Sequence, residues 1–261
     1  MATVEREGAT IYYERCGSGS AVVFAHGAGG NRLSWWQQVP HFAERHSVIT
    51  LDQRSYGRSA CDAGAFHPSH FPGDLLAVLD AEEIERAALV CQSMGGWTGL
   101  PTALRHSERV SCLVLASTPG GLLTPELLKF MAETGERIRR DSGIDANAAL
   151  APDYPARRPD MAFLYAGISG LNTGADPANL ARMAEPEARI TPDDLAGYET
   201  PTLVLSGSHD LLFPPESLRI VASLIPGAEL VPVEGAGHSI YFEMPELFNR
   251  VVGEFVAKHA S

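Results

Sequence analysis

Seven short runs of aliphatic and β-branched residues recur along this 261-residue chain, and the later ones are apolar on both faces. A strand that is continuously apolar must be covered from both sides, as happens in a parallel sheet flanked by helices. The runs are TIYYERC (10–16), AVVFAH (21–26), HSVITLD (46–52), AALVCQ (87–92), SCLVLAS (111–117), TLVLSG (202–207) and AELVPVE (228–234). Helical patterns fall between them, as in 72–85 and 214–225, and a last one, 244–258, has Pro245 at a helix-start position. Strand–helix alternation of this kind predicts a doubly wound, mostly parallel α/β sheet with helices on both faces. The stretch Gly17-Ser18-Gly19-Ser20 reads as a turn, so an N-terminal hairpin of runs 10–16 and 21–26 is expected.

Residues 119–199 break the rhythm, with helical pieces, several prolines and no convincing strand. Alternation resumes at Thr202, so the expectation is a single core domain, 1–118 plus 200–261, carrying a helical cap at 119–199. A formal net charge of −12 argues against nucleic-acid backbones and anionic membranes as partners, since both call for basic surface. No apolar leader segment opens the sequence, and no run approaches the ~18 apolar residues of a membrane span. A cytoplasmic location is therefore expected. Cys16, Cys61, Cys91 and Cys112 have neither CxxC nor metal-ligand spacing, and Cys91 and Cys112 sit in apolar runs as small core residues.

Against that frame, LVCQSMGGW (89–97) stands out. Ser93 follows a buried-strand pattern and precedes a helix with almost no connecting loop. So sharp a turn strains the serine backbone and brings strand and helix close, which demands small residues two before and two after it. Those positions hold Cys91 and Gly95, a nucleophile elbow of the G-x-S-x-G type with cysteine for its first glycine. Pro101 is expected to kink or shorten the helix that follows. A serine hydroxyl needs a base to act as a nucleophile. Of nine histidines, His238 lies in VEGAGHSIYFEMP, just past a strand run and framed by Gly235 and Gly237. The base in turn needs a carboxylate to fix its tautomer, and Asp210 in GSHDLLFPP also directly follows a strand run. The order Ser93, Asp210, His238 matches one of the three well-known orders of the serine triad.

With these motifs, HGAGG (26–30), DQRSYGRS (52–59), SGSHDLLFP (206–214) and GAGHSIYFEMP (235–245), the chain resembles the α/β-hydrolase fold family. The likeness is to compact bacterial esterases or lactonases with a helical cap, and it runs over nearly the full length outside that cap. It implies an oxyanion hole made by the backbone N–H groups of Ala28 and Met94. His26 is expected to anchor a loop, and Asp52 and Arg54 to tie loops together.

Other motifs carry less. HGAGGNR has Arg32 where a dinucleotide fingerprint needs its third glycine, GSGS lacks the Lys-Ser/Thr of a phosphate loop, and His67 and His70 lack a metal-site context. A serine at the elbow removes the aspartate-dependent dehalogenase and epoxide-hydrolase options. No cofactor or metal is expected. The expected substrate pocket takes Trp35, Trp36, Phe130, Tyr154, Phe163 and Tyr165, with Met131, Met161 and Met183 as further apolar cap residues. Arg157-Arg158 reads as a solvated surface pair. The expected activity is cleavage of a small carboxylic ester or lactone through Ser93, Asp210 and His238. Carbon–carbon bond cleavage, thioester hydrolysis and a low-turnover ligand receptor stay open on the same residues. Substrate identity and oligomeric state are not readable from one sequence.

Overall fold

Side chains alternate across a strand, so each central strand feeds two cores. In the computed structural model, which describes residues 2–62, 64–140 and 146–260, nine strands form one sheet. They are β1 (Ala2–Arg6), β2 (Ala9–Cys16), β3 (Ala21–Ala25), β4 (Ser47–Leu51), β5 (Ala60–Cys61), β6 (Ala87–Gln92), β7 (Val110–Ala116), β8 (Thr202–Gly207) and β9 (Glu229–Val233). The order is β1-β2-β4-β3-β6-β7-β8-β9, with β5 on β2. Pairing is parallel from β4 through β9, and antiparallel where β2 meets β1, β4 and β5.

The helices are α1 (Val39–Phe42), α2 (Phe71–Ala81), α3 (Gly96–Arg105), α4 (Pro125–Arg140), α5 (Tyr154–Arg157), α6 (Pro159–Ser169), α7 (Pro215–Leu224), α8 (Ile240–Glu243) and α9 (Pro245–His259). One sheet face, with Val23, Leu89, Cys91, Leu113 and Leu115, packs on α2, α3 and α7 through Leu75, Val78, Leu100, Leu218 and Val221. The other, with Val22, Phe24, Val48, Val90 and Val114, packs on α1 and α9 through Phe42, Phe248, Val252 and Val256. Burial of a side chain of this size contributes about 1.5–3 kcal/mol. Between β7 and β8 the chain holds α4, α5, α6 and several 3-10 turns, with one lone bridge from Leu122 to Ile190.

Two expectations are corrected. Runs 10–16 and 21–26 do not form a hairpin: β2 pairs with β4 (Tyr13 opposite Leu51), and β3 lies on β4's far side. Their Gly-Ser loop passes under the chain before β4, where a Cβ on Gly17 would meet the His46 carbonyl at 2.3 Å. The N-terminal hairpin is β1–β2, turned by Glu7 and Gly8 at φ +46° and +73°, as a tight two-residue turn requires. Of the kink or shortening expected at Pro101, the shortening is not seen, since α3 continues to Arg105.

The DQRSYGRS turn is a buried electrostatic knot. Arg54 is fully buried, with Nε and Nη2 on the two oxygens of Asp74 at 2.6 and 2.7 Å and further bonds to the carbonyls of Arg6, Glu7 and Ala65. Asp52 accepts the Arg32 and Arg58 backbone N–H groups at 2.6 and 2.8 Å. His26 Nε2 accepts the Gln53 N–H, so its proton is on Nδ1, against the Gly27 carbonyl. Removing one member of so buried a pair as Arg54–Asp74 costs about 3–5 kcal/mol.

Cysteine at the elbow's first small position is accommodated by a glycine one turn into α3. A Cβ on Gly99 would meet Cys91 Sγ at 2.5 Å and Leu113 Cδ1 at 2.7 Å. Alanine is intrinsically better in a helix than glycine by about 1 kcal/mol. Overpacking costs about 1–3 kcal/mol and is expected to win, so Gly99→Ala lowers the melting temperature by several degrees. Cys91→Ala in the same chain recovers part of that loss in a double-mutant thermal-unfolding cycle. A neutral Gly99→Ala with no coupling to position 91 contradicts this packing.

Candidate active site

The segments that follow β3, β4, β6, β8 and β9 meet helices α4 and α6 over a cavity of about 440 Å³. Ser93 follows β6 directly and has φ +51°, a left-handed conformation that costs a non-glycine residue roughly 1–3 kcal/mol. The strain is held from both sides. A Cβ on Gly95 would meet the Ala25 carbonyl at 2.2 Å, and one on Gly96 would meet Thr118 Oγ1 at 2.3 Å. The start of α3 is thus pressed against the ends of β3 and β7.

Asp210 sits three residues past β8. Its Oδ1 accepts the Leu212 and Phe213 N–H groups at 2.8 and 2.9 Å, and its Oδ2 lies 3.0 Å from His238 Nδ1. A carboxylate can only accept, so His238 donates from Nδ1 and its Nε2 is left as an acceptor. Both residues are buried, and the imidazole stacks on Phe213 at 5.8 Å between centroids. The loops after β8 and β9 are stitched together: Ser208 and His209 N–H groups bond Val233 and Ala236 carbonyls, and Gly235 N–H bonds Ser208 Oγ.

Ala28, Ser93, Met94 and His238 all line the cavity. Ala28 N–H has no partner in the loop around it, among the described residues. Met94 stands in the first turn of its helix, where N–H groups have no intrahelical acceptor. Two residues whose N–H groups lack a backbone acceptor therefore line the cavity with Ser93.

Most of the expected pocket aromatics lie elsewhere. Trp35 is fully buried in the core between Phe24, Tyr241 and Phe248. Trp36 is 44% exposed and Phe163 82% exposed, and neither lines the cavity. Tyr154 is buried under the Arg157 guanidinium, and half-buried Phe130 also lies outside the lining. Helical periodicity turns Phe163 and Phe130 away, because residues one or two positions from the inward Tyr165 on α6 and Met131 on α4 point elsewhere. Tyr165 does line the cavity, with Met131 and Met183 of the same cap segment. Arg157 and Arg158 are exposed and paired with Asp153 and Asp160.

Sequence reasoning missed several groups that shape the site. Gln92 donates from Nε2 to the His238 carbonyl at 3.3 Å, and its Oε1 lies where a Cβ on Gly27 would stand, 2.2 Å away. One amide thus touches both flanking loops. Glu243 accepts the Gly237 and Ala151 N–H groups, and Tyr165 shares a 2.8 Å hydrogen bond with Ser239. Burial pushes the Glu243 carboxyl above its usual range. The loop carrying His238 is thereby clamped to residues 149–151, between β7 and β8. Only the position of Gln92 beside Ser93 could have flagged it. The remaining contacts join residues distant in sequence.

Among the described residues, one cluster of three potential metal-ligating side chains has its ligand atoms within 4.8 Å of one another: His67, Glu185 and Glu187. His67 Nδ1 accepts the Ser69 N–H, which puts the ring proton on Nε2, facing Glu185 at 3.1 Å. Arg182 also pairs with Glu185. That arrangement is a tie between the segments before α2 and before β8, with no free imidazole lone pair.

A family model described as alpha/beta hydrolase fold matches residues 20–245. The chain belongs to the alpha/beta hydrolase fold family. It is 29% identical over 255 residues to a putative carbamate hydrolase, RutD, of Azorhizobium caulinodans, covering 94% of each chain. Among solved structures it is similar to Est816, described as an N-acyl homoserine lactone degrading enzyme, at 28% identity and TM-score 0.81, covering 98% of this chain and all of that one. It is likewise similar to the enol-lactonase of Burkholderia xenovorans LB400, at 26% identity and TM-score 0.80, covering 98% and 100%. Among the described residues, no helix of this hydrolase-fold protein is long and apolar enough to cross a membrane.

The 3.0 Å contact predicts a strongly hydrogen-bonded imidazole proton on His238 Nδ1. It should give a far-downfield proton NMR signal that disappears in Asp210→Ala. A signal that survives the substitution unchanged contradicts the pairing.

Proposed function

We propose that this protein hydrolyses a small carboxylic ester or lactone by way of an acyl-enzyme on Ser93. The observation that supports the reading is the shared cavity: Ser93 at its left-handed turn, His238 of the buried Asp210–His238 pair, Ala28 and Met94 all line one largely apolar space. His238 Nε2, unprotonated in the resting tautomer, takes the Ser93 proton as Oγ attacks the carbonyl carbon. The carbonyl π electrons move onto oxygen, which is stabilised by the N–H groups of Ala28 and Met94. Collapse breaks the bond to the alcohol oxygen, and His238 gives that oxygen its proton. In a lactone the alcohol stays tethered to the acyl group. Water then attacks the acyl-enzyme, with His238 taking its proton and returning it to Ser93 as the acid leaves.

Asp210 keeps the imidazole in the productive tautomer and stabilises its charged form. No step calls for a cofactor or metal. The described relatives support an acyl-transfer reading, because two degrade lactones and one is a putative carbamate hydrolase; all three substrate types carry a carbonyl bonded to a heteroatom.

Ser93→Ala is expected to lower kcat on p-nitrophenyl acetate by about 10⁴-fold or more at unchanged melting temperature. Near-full activity in that variant removes Ser93 as nucleophile. Asp210→Asn is expected to lower kcat by a similar order, because its amide presents a donor where His238 needs an acceptor.

A further inference from the structure

Tyr56 lies in the DQRSYGRS turn, whose Asp52 and Arg54 are consumed by architecture. Tyr56 itself is not. It is only 3% exposed, its ring packs edge-on against His26, and it lines the cavity beside Met94, Trp97 and Met183. Its hydroxyl has no hydrogen-bond partner among the described residues. Burial alone pushes its phenol above the ordinary range, with no neighbouring charge or bond contributing. Among the described residues four other buried side-chain polar atoms lack partners, Trp35 Nε1, Gln38 Oε1, Ser117 Oγ and Ser206 Oγ, but those are sealed. The Tyr56 oxygen is not sealed, and the space that its residue borders is the cavity.

The Tyr56 phenol opens on the cavity with no protein acceptor among the described residues, so it is free to donate to whatever occupies that space. A ligand oxygen that replaces cavity water there gains a direct bond that phenylalanine could not give. The nature of the acceptor follows from the rest of the lining. Among its described residues there is no lysine, arginine, aspartate or glutamate, and the side chains other than His238 are apolar or neutral. A ligand carboxylate would lose its hydration with no cation to offset it, inside a chain of net charge −12.

We infer that Tyr56 is a specificity-determining residue, its hydroxyl donating to a neutral oxygen acceptor (an ether, ketone or amide oxygen) on an uncharged acyl ester or lactone. The inference rests on the acyl-transfer reading for its rate measurements and on geometry alone for its binding measurements. A site built to hydrogen-bond a substrate atom discriminates strongly against the analogue that lacks it.

The test is an isosteric series: p-nitrophenyl hexanoate, its three analogues with an ether oxygen at chain position 3, 4 or 5, and the p-nitrophenyl monoester of hexanedioic acid. Each is assayed with the wild type and with Tyr56→Phe. Comparing kcat/KM ratios between the two proteins cancels the intrinsic reactivity of each ester. For at least one ether the preference over hexanoate is expected to fall about tenfold or more in Tyr56→Phe. The carboxylate-bearing ester is expected to be at least tenfold poorer than hexanoate in the wild type. Ratios unchanged by Tyr56→Phe overturn the assignment, as does a uniform loss on all esters with a lowered melting temperature, the mark of a packing role. A carboxylate ester used as well as hexanoate overturns the neutral-ligand clause. Dissociation constants of the matched methyl ketones, which lack a leaving group, are measured on Ser93→Ala with and without Tyr56→Phe. If the wild type hydrolyses no ester, the acyl-transfer reading falls, and the ratio of these constants still decides for or against Tyr56.

Discussion

The close approach of α3 to the ends of β3, β6 and β7 is the constraint on which the rest of the molecule depends. No side chain can be placed on Gly95 without meeting the Ala25 carbonyl, and none on Gly99 without meeting Cys91. With helix and strand this near, the chain between them has room for a single residue in a left-handed conformation, and that residue is Ser93 at φ +51°. The local cost is of order 1–3 kcal/mol. It persists because two apolar cores flank the strand and over-determine its position. A relaxed loop in the same place would leave the hydroxyl free to turn away from the cavity.

The other groups reach that cavity because the parallel strands all end on one side. Parallel order makes every strand-to-helix loop emerge at the same edge, where open α/β sheets bind ligands. The loops after β8 and β9 are bonded to each other, and Gln92, the residue preceding Ser93, bonds the second of them. Glu243 and Tyr165 extend the clamp into the segment between β7 and β8. The position of His238 therefore depends on contacts with both the sheet and the helical segment between β7 and β8, so disturbance of residues 149–151 should reach the imidazole without touching it.

The parts legible in the sequence are those that local pattern determines. Strands 87–92 and 202–207 coincide with β6 and β8 because continuous apolar runs need cover on both faces. Asp210 and His238, named for standing just past strand runs, do come within hydrogen-bond distance. The failures share one cause: a short segment's composition does not say what it meets. Gly17–Ser20 signals a bend but not which strand lies across it, and β1 escaped notice because it alternates exposed and half-buried residues at the sheet edge. Phe163 and Tyr165, two residues apart on α6, were indistinguishable as pocket aromatics until packing put one in solvent and the other over Ser239. Tyr56 is hidden by its neighbours, since a turn whose other members are structural gives no sign that one ring lines the cavity.

The central claim is that strain at one serine aims its oxygen at a carbonyl held by two backbone amides. The most direct measurement is a crystal structure of the protein after reaction with a methylphosphonate ester. The adduct should be on Ser93 Oγ, with its phosphoryl oxygen about 2.7–3.1 Å from both the Ala28 and Met94 nitrogens. An adduct on another residue, or a phosphoryl oxygen turned away from both amides, contradicts the account.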